Sequence, residues 1–392
     1  MSLLHRLWSS LPRRARREAL FSLTAALAPR IARPAPPPAL PLTVAGYFTA
    51  TTGLGAATRR LAAGLRDQGF AVAEADLTGP LRQGPAGLLP VVRPGPGTLL
   101  VHVNGPMLPW ALLSLGRKAV AGKRVIGVWN WELPVLPPDW NRGFAACHAI
   151  WAGTEFVAAA CRRPGGPPVS VVSYPMPPPT PSRLGRADFS LPEKAFVALT
   201  VFDATSSLAR KNPLGAIEAH HRAFGTSPDH VLVIKTHGTA HAGPGWAEVA
   251  AAAAARPNLR VIDAALPRAD LWALMAASDV LLSLHRAEGF GFAIAEMMEL
   301  GRPVVATGWS GNTDFMQGPG CHAIGYRLVP AHDPQHTYDM PQARWAEPDL
   351  DEAAAALRRI ASDPALRRPP AQRLPTPDYR AALSLPDAAS TG

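Results

Sequence analysis

The chain runs twice through the same strand–helix alternation, and a proline-rich break separates the two passes. In the first pass LTVAGYF (Leu42 to Phe48) reads as a buried strand. The turn TTGLGAA follows, then a helical stretch from Ala56 to Gln68 stopped by Gly69. TLLVHVN and RVIGVWN read as further strands around a helical stretch from Trp110 to Val120, and AIWAG and VSVVSYP as shorter ones. The segment PMPPPTPSRLGR (Pro175 to Arg186) can continue neither a helix nor a central strand. After it AFVALTVFD, HVLVIKTHG, LRVIDA, DVLLSLH and RPVVATG alternate with helical stretches. Strands alternating with helices require a parallel sheet covered on both faces. A chain of 392 residues is long enough for two such units, each with its own core. The expected organisation is therefore α/β: a Rossmann-like domain over 42–180 and a second over 181–362. Residues 1–41 form a basic helical extension with a proline-rich linker, and 363–392 a flexible tail. Ligands bind such sheets outside the carboxyl ends of the strands, so a cleft between the two domains is the expected site.

The net charge of +10 is concentrated at the N-terminus, where residues 1–33 carry seven Arg against one Glu. A nucleic-acid binder would hold its basic excess on a folded face, so nucleic acid is not the expected partner. The same segment has Leu3, Leu4, Leu7, Trp8 and Leu11, then Leu20, Leu23 and Leu27 at helical spacing after Pro12. Two readings stay open for it: a basic amphipathic helix on an anionic membrane surface, or a helix packed on the protein itself. Arginines interrupt any run that could serve as a secretory signal, and no run reaches the roughly 20 apolar residues that span a bilayer. The three cysteines are scattered, which suggests neither a disulfide framework nor a thiolate metal site. The expected location is cytoplasmic, and on the first of these readings peripheral on the inner membrane face.

The most specific segment is SLHRAEGFGFAIAEMMELGRPVVAT. A strand ending at Leu284 delivers Glu288 into a loop in which Gly289 and Gly291 let the backbone approach a ligand. The helix that begins near Phe292 aims its positive dipole end at the loop, which suits a diphosphate. Glu296, in the first turns of that helix, can offer two acceptor oxygens to a ribose diol. Glu288, freer in the loop, can meet a sugar hydroxyl or stabilise positive charge on a sugar carbon.

This segment resembles the paired-glutamate signature of retaining glycosyltransferases of the family 4 type, and WNWELP with AIWAGTEFV resembles a bacterial subgroup of them similar to mannosyltransferases of surface polysaccharide synthesis. The resemblance implies the GT-B fold, two facing Rossmann-like domains with the donor nucleotide mainly on the second. VFDATSSLARKNPLGAIEAHHRAFG is similar to the segment whose basic residues meet the donor diphosphate, which implies Arg210 and Lys211 as the clamp. Many relatives carry an arginine where this chain has Ser206, so Ser206, Ser207 or Lys235 is expected to rebuild part of the contact. Lys235, at the end of LVIK, either points into the cleft or snorkels. With Gly289, Phe290, Gly291, Phe292 and Glu296, Ser207, Lys235 and Gly55 make up the expected donor-binding set; Gly55 stands where relatives have a glycine loop. GWSGNTDFM resembles the loop near the sugar, with Asn312 and Asp314 as polar candidates. WAEPD (Trp345 to Asp349) resembles the start of a helix that carries the chain back toward the first domain.

The acceptor side is less sharply marked. His102 and Asn104 end one strand, and Trp131 and Glu132 follow another in VWNWELPVLPPDW, a pattern similar to the bacterial subgroup. They are acceptor-side candidates, against the alternative that His102 is a hydrogen-bonded core residue and the tryptophans simply pack. The resemblance implies no metal and no cofactor beyond a nucleotide-sugar co-substrate. The expected activity is transfer of a hexosyl group, mannose by analogy, to a saccharide or lipid-linked hydroxyl. A sugar-nucleotide epimerase of the same fold and a non-catalytic scaffold are the alternatives.

Overall fold

The computed structural model describes residues 12–85, 89–243, 245–338 and 340–385. They fold as two units. The first comprises the chain up to Trp131, Leu136–Pro175 and the stretch from Thr376, and the second comprises Glu132–Val135 and Met176–Pro375.

The first unit is built on a six-stranded parallel sheet in the order β2-β1-β3-β4-β5-β6. Its strands are β1 (Leu42–Gly46), β2 (Val72–Asp76), β3 (Gly97–His102), β4 (Lys123–Trp129), β5 (Ala149–Ala152) and β6 (Val169–Val171). β1 and β3 are buried at every position, as strands covered on both faces must be. β2 was not among the expected strands. Its sequence VAEAD lies at the sheet edge with Ala73 and Glu74 exposed, so it lacks the hydrophobic run that marks a central strand. The helices are α1 (Arg13–Leu27), α2 (Gly53–Asp67), α3 (Leu108–Leu115) and α4 (Glu155–Cys161). The helix expected across Trp110 to Val120 is broken at Gly116, whose φ of 86° ends α3 before a separate turn over Arg117–Val120.

α1 packs against α3, burying Phe21 and Thr24, and Arg17 pairs with Asp139 at 2.8 Å while Arg142 pairs with Glu18. Leu23 and Leu27 remain 58% and 55% exposed. Leu3, Leu4, Leu7, Trp8 and Leu11 lie outside the described residues. No described helix is long and apolar enough to cross a membrane.

The expected flexible tail is corrected in part. Tyr379 and Leu383 enter the core of the first unit beside Leu61, Leu65 and Phe70, and Tyr379 stacks on Trp151. Gln68 locks the return, donating to the Pro377 carbonyl at 2.6 Å and accepting from the Tyr379 N–H at 3.0 Å. The proline- and arginine-containing composition conceals two apolar side chains four residues apart on one helical turn, Tyr379–Leu383.

The second unit repeats the design with sheet order β12-β11-β10-β7-β8-β9. Its strands are β7 (Phe196–Val201), β8 (His230–Thr236), β9 (Leu259–Asp263), β10 (Val280–Ser283), β11 (Val304–Thr307) and β12 (Cys321–Ile324). The helices are α5 (Pro213–Phe224), α6 (Gly245–Ala254), α7 (Arg268–Ala277), α8 (Phe292–Glu299) and α9 (Leu350–Ser362). One face of the sheet is covered by a cluster containing Ile217, Val249 and Leu357, the other by one containing Trp272, Leu274 and Met297. WAEPD opens a helix only through its last residue. Arg344–Pro348 is strand β14, paired antiparallel with β13 (Tyr326–Pro330), and Asp349 then caps α9. α9 also stays within the second unit, packed on α5; the chain leaves it only after Pro375.

Each sheet reverses its winding once. In the first the reversal lies between β1 and β3, and in the second between β7 and β10. Such switch points leave a crevice outside the carboxyl ends of the two strands.

Candidate active site

The switch point of the second sheet collects the charged residues. After β7, Ser207 caps a short helical turn, Leu208–Lys211, by accepting the Arg210 N–H at 3.1 Å. Asn212 follows with φ of 53°, a left-handed conformation that asparagine tolerates. Its side chain caps α5 through the Gly215 N–H at 3.2 Å and donates to the Leu284 carbonyl at 2.9 Å. This bond ties the turn after β7 to the end of β10. Arg286 makes a second tie: its N–H donates to the Arg210 carbonyl at 2.7 Å and its guanidinium to the Ala209 carbonyl at 2.6 Å. The same guanidinium forks onto Glu347 of β14 at 2.7 and 3.1 Å.

Within this frame Arg210 is 5% exposed and donates to the Ala287 carbonyl at 2.8 Å. Its guanidinium stands 3.3 Å from the Glu288 carboxylate, which also pairs directly with Lys211. Glu288 is therefore not the freer loop residue that its neighbouring glycines suggested. Its N–H donates to the Ser310 hydroxyl at 2.8 Å and its carbonyl accepts the Gly311 N–H at 2.9 Å. Burial would raise its carboxyl, but the two adjacent cations, Lys211 and Arg210, outweigh burial and draw it down to about 2. Glu288 is an anion at neutral pH.

Glu132 joins the same group, although its sequence neighbour Trp131 belongs to the first unit. One carboxylate oxygen lies 3.9 Å from the Arg210 guanidinium, and the other accepts from the Tyr338 hydroxyl at 3.0 Å. Tyr338 is 3% exposed, with its ring 6.0 Å from the Arg210 guanidinium carbon. Burial pushes its phenol well above the ordinary value, so it is a hydrogen-bond donor here. Asp333, 1% exposed, accepts the Ser207 hydroxyl at 2.9 Å and the Thr337 N–H at 2.9 Å, which shapes the turn that delivers Tyr338.

The loop after Glu288 carries Gly289 and Gly291. Gly291 has φ of 98° at the start of α8, a conformation that L side chains rarely adopt. Phe290 packs between Phe292 and Phe315, each 4.9 Å away, so its ring serves the loop's own packing. Glu296 is 2% exposed and pairs with Arg268, the first residue of α7, at 2.9 Å. His285 is a bolt beneath the loop, with Ser283 at 3.0 Å on one ring nitrogen and Asn312 at 3.0 Å on the other. Asn312 is fully buried in that role, while Asp314 is exposed.

Other expected residues are committed to partners of their own. Lys235 is 4% exposed and spends its ammonium on the Thr236 and Ala264 carbonyls at 2.9 and 2.7 Å, and burial lowers it to about 8. Ser207 is committed to capping and to Asp333, and Ser206 to the Asp203 carbonyl at 2.7 Å. In the first unit His102 is fully buried between Thr58 and Tyr174, each 2.9 Å away, and burial lowers it to about 4. Asn104 accepts the Asn130 N–H at 2.9 Å. Trp131 packs edge-on against Trp140, which also meets Trp129. His102 is thus a hydrogen-bonded core residue, and Trp131 packs on a neighbouring tryptophan. Gly55 has a packing reason of its own: a Cβ there would collide with the Ala50 carbonyl oxygen and stand 2.9 Å from that of Tyr47.

Sequence reasoning missed Tyr338, Asp333, Arg268 and the Arg286–Glu347 pair. Only Arg286 carried a signal, a charged side chain at the end of a buried strand two residues before Glu288.

Residues 217–340 match the family model described as Glycosyl transferases group 1. The chain carries a glycosyltransferase group 1 domain. The matched span contains Glu288 to Glu296, while Arg210 and Lys211 lie just before it. No curated protein matches the sequence. Among solved structures, the chain is similar to HepE of Anabaena in complex with UDP and glucose, at TM-score 0.55 and 13% identity over 83% of this chain and 91% of that one. It is also similar to WaaG, a glycosyltransferase involved in lipopolysaccharide biosynthesis, at TM-score 0.54 and 18% identity over 83% and 92%. A UDP-forming trehalose-phosphate synthase from Burkholderia xenovorans follows at TM-score 0.51 and 12% identity, over 69% and 68%. With its two parallel six-stranded sheets, the protein around the group 1 domain has the GT-B fold.

Proposed function

We propose that the protein transfers a hexosyl group from a nucleoside-diphosphate sugar to a saccharide or lipid-linked hydroxyl, with retention of anomeric configuration, as an enzyme of the family 4 type. One observation carries the reading: two cations, Arg210 and Lys211, stand against Glu288 at the β7/β10 switch point, in a chain with a group 1 domain. Departure of a nucleoside diphosphate builds negative charge on the leaving oxygen, and fixed cations in a water-poor site stabilise it with no metal. Glu288, ionised at neutral pH, favours positive charge on the sugar carbon and cannot act as a proton donor there. Gly289 and Gly291 let the loop approach the phosphates, and Glu296 holds the ribose.

Mannose is the favoured sugar, by analogy with the resembling subgroup. HepE binds UDP and glucose, and WaaG acts in lipopolysaccharide biosynthesis; a surface-saccharide acceptor for this chain follows the same analogy. The exposed Leu23 and Leu27 of the basic N-terminal segment suit a peripheral contact with the cytoplasmic face of a membrane. The test is thermal unfolding against GDP-, UDP- and dTDP-sugars, followed by product analysis with the donor that stabilises most. Transfer with the donor's anomeric configuration kept is expected. Epimerised nucleotide sugar without transfer would overturn the reading, as would the absence of binding to every donor.

A further inference from the structure

The charge balance around Arg210 is already closed before any donor enters. Arg210 and Lys211 face two carboxylates, Glu288 and Glu132, in a site where the Arg210 side chain is 6% exposed and that of Glu288 13%. A nucleoside-diphosphate sugar brings two further negative charges on its diphosphate. Four negative charges against two positive ones in a partly buried site are unfavourable, so a carboxylate must leave the guanidinium as the diphosphate arrives.

The geometry says which one. Glu288 contacts both cations, and its backbone is pinned at the N–H by Ser310 and at the carbonyl by Gly311. Glu132 is the more weakly held: its carboxylate lies 3.9 Å from Arg210 and its side chain is 24% exposed. The Tyr338 hydroxyl, at 3.0 Å, holds it in place. We propose that Glu132, held by Tyr338, is an internal stand-in for the donor's diphosphate on Arg210 and is displaced when the donor binds. This rests on the reading of Arg210 and Lys211 as the diphosphate clamp. It gives Glu132 a role opposite to that of an acceptor-orienting carboxylate, because its removal improves nucleotide affinity. Tyr338 then acts through Glu132, as the residue that sets how often Arg210 is open.

The test is calorimetric titration of the full chain with UDP and with GDP. A closed form lowers apparent affinity by the fraction of molecules that are open, so Glu132→Gln should bind the preferred nucleotide about tenfold more tightly than the parent. Tyr338→Phe, which keeps Glu132 but removes its hydrogen-bond donor, should tighten binding by roughly threefold. Unchanged or weaker binding in Glu132→Gln overturns the inference, and lost turnover at unchanged affinity would mark Glu132 as a substrate contact instead. Should Glu132→Gln fail to fold, Tyr338→Phe decides alone, with unchanged or weaker binding overturning the inference. If the parent and both variants bind neither nucleotide, the clamp reading fails and the inference with it.

Discussion

Glu288→Gln separates the electrostatic role of this residue from its shape. Gln keeps the volume and an acceptor oxygen for Lys211 but removes the charge that balances Arg210 and Lys211. In the folded protein the Glu288 carboxyl is drawn from 4.5 to about 2, which corresponds to about 3 kcal/mol in favour of the carboxylate. Removing one partner of a buried ion pair costs about 3–5 kcal/mol when nothing relaxes, and the partial exposure of Lys211 lowers that figure. The variant should therefore be about 2–4 kcal/mol less stable at pH 7, a fall in Tm of roughly 5–10 °C for a unit of this size. The sign with pH follows from the lowered value. The contribution of Glu288 is complete above pH 4.5 and is lost as pH falls through about 2, so the difference between parent and variant should shrink across that window. Added nucleoside diphosphate supplies the missing negative charge and should raise the Tm of the variant more than that of the parent. Turnover should fall at least about tenfold through lost transition-state electrostatics. Thermal unfolding with and without UDP or GDP, together with a transfer assay, reads all of this. A variant with unchanged Tm and unchanged turnover would refute the electrostatic account of the site.

Glu296→Gln breaks the pair with Arg268 and should raise the donor KM more than it lowers kcat, as measured by initial rates across donor concentrations. Gly55→Ala puts a methyl group into backbone carbonyls and should cost about 1–3 kcal/mol in urea unfolding, whereas Gly53→Ala, with open space around it, should change little. Burial holds His102 neutral, from 6.5 down to about 4, so the unfolded chain binds more protons between those values. Stability should be complete above pH 6.5 and lose about 3 kcal/mol toward pH 4, and a flat urea midpoint over that range would refute it.

What the sequence made legible follows from the range of the forces involved. Buried parallel strands announce themselves as short apolar runs, so β1, β3, β4, β7, β8 and β10 could be read directly. β2 could not, because VAEAD alternates alanine with acidic residues and lacks the branched apolar residues that mark the other solvated edge strands, β6 and β9. The terminal turn at Tyr379 was hidden because two anchoring side chains, not a periodic pattern, decide its packing. At the site, Glu288 stood out because it follows the end of β10 by five residues in a glycine-bearing loop, and Arg210 and Lys211 through the resemblance of their segment. Tyr338, Asp333 and Glu132 did not stand out as partners of that cluster. Glu132 is 78 residues before Arg210 and Tyr338 is 128 after it, and no local propensity encodes pairings over such separations.

The difference matters for how the site is understood. The residues legible from local sequence are those that would hold a donor, and taken alone they describe a clamp with unbalanced positive charge. The long-range residues change its electrical state. Glu132 joins Glu288 in neutralising the two cations, Tyr338 fixes Glu132, and Asp333 fixes both Ser207 and the turn that carries Tyr338. An uncompensated pair of buried cations would be costly to fold, so a donor-free protein needs anions of its own at this point. The anions that let the clamp fold are then the ones a diphosphate has to outcompete. With Arg210 as the proposed clamp, donor affinity would be set by residues 78 and 128 positions away from the cation they act on, as much as by the cation itself.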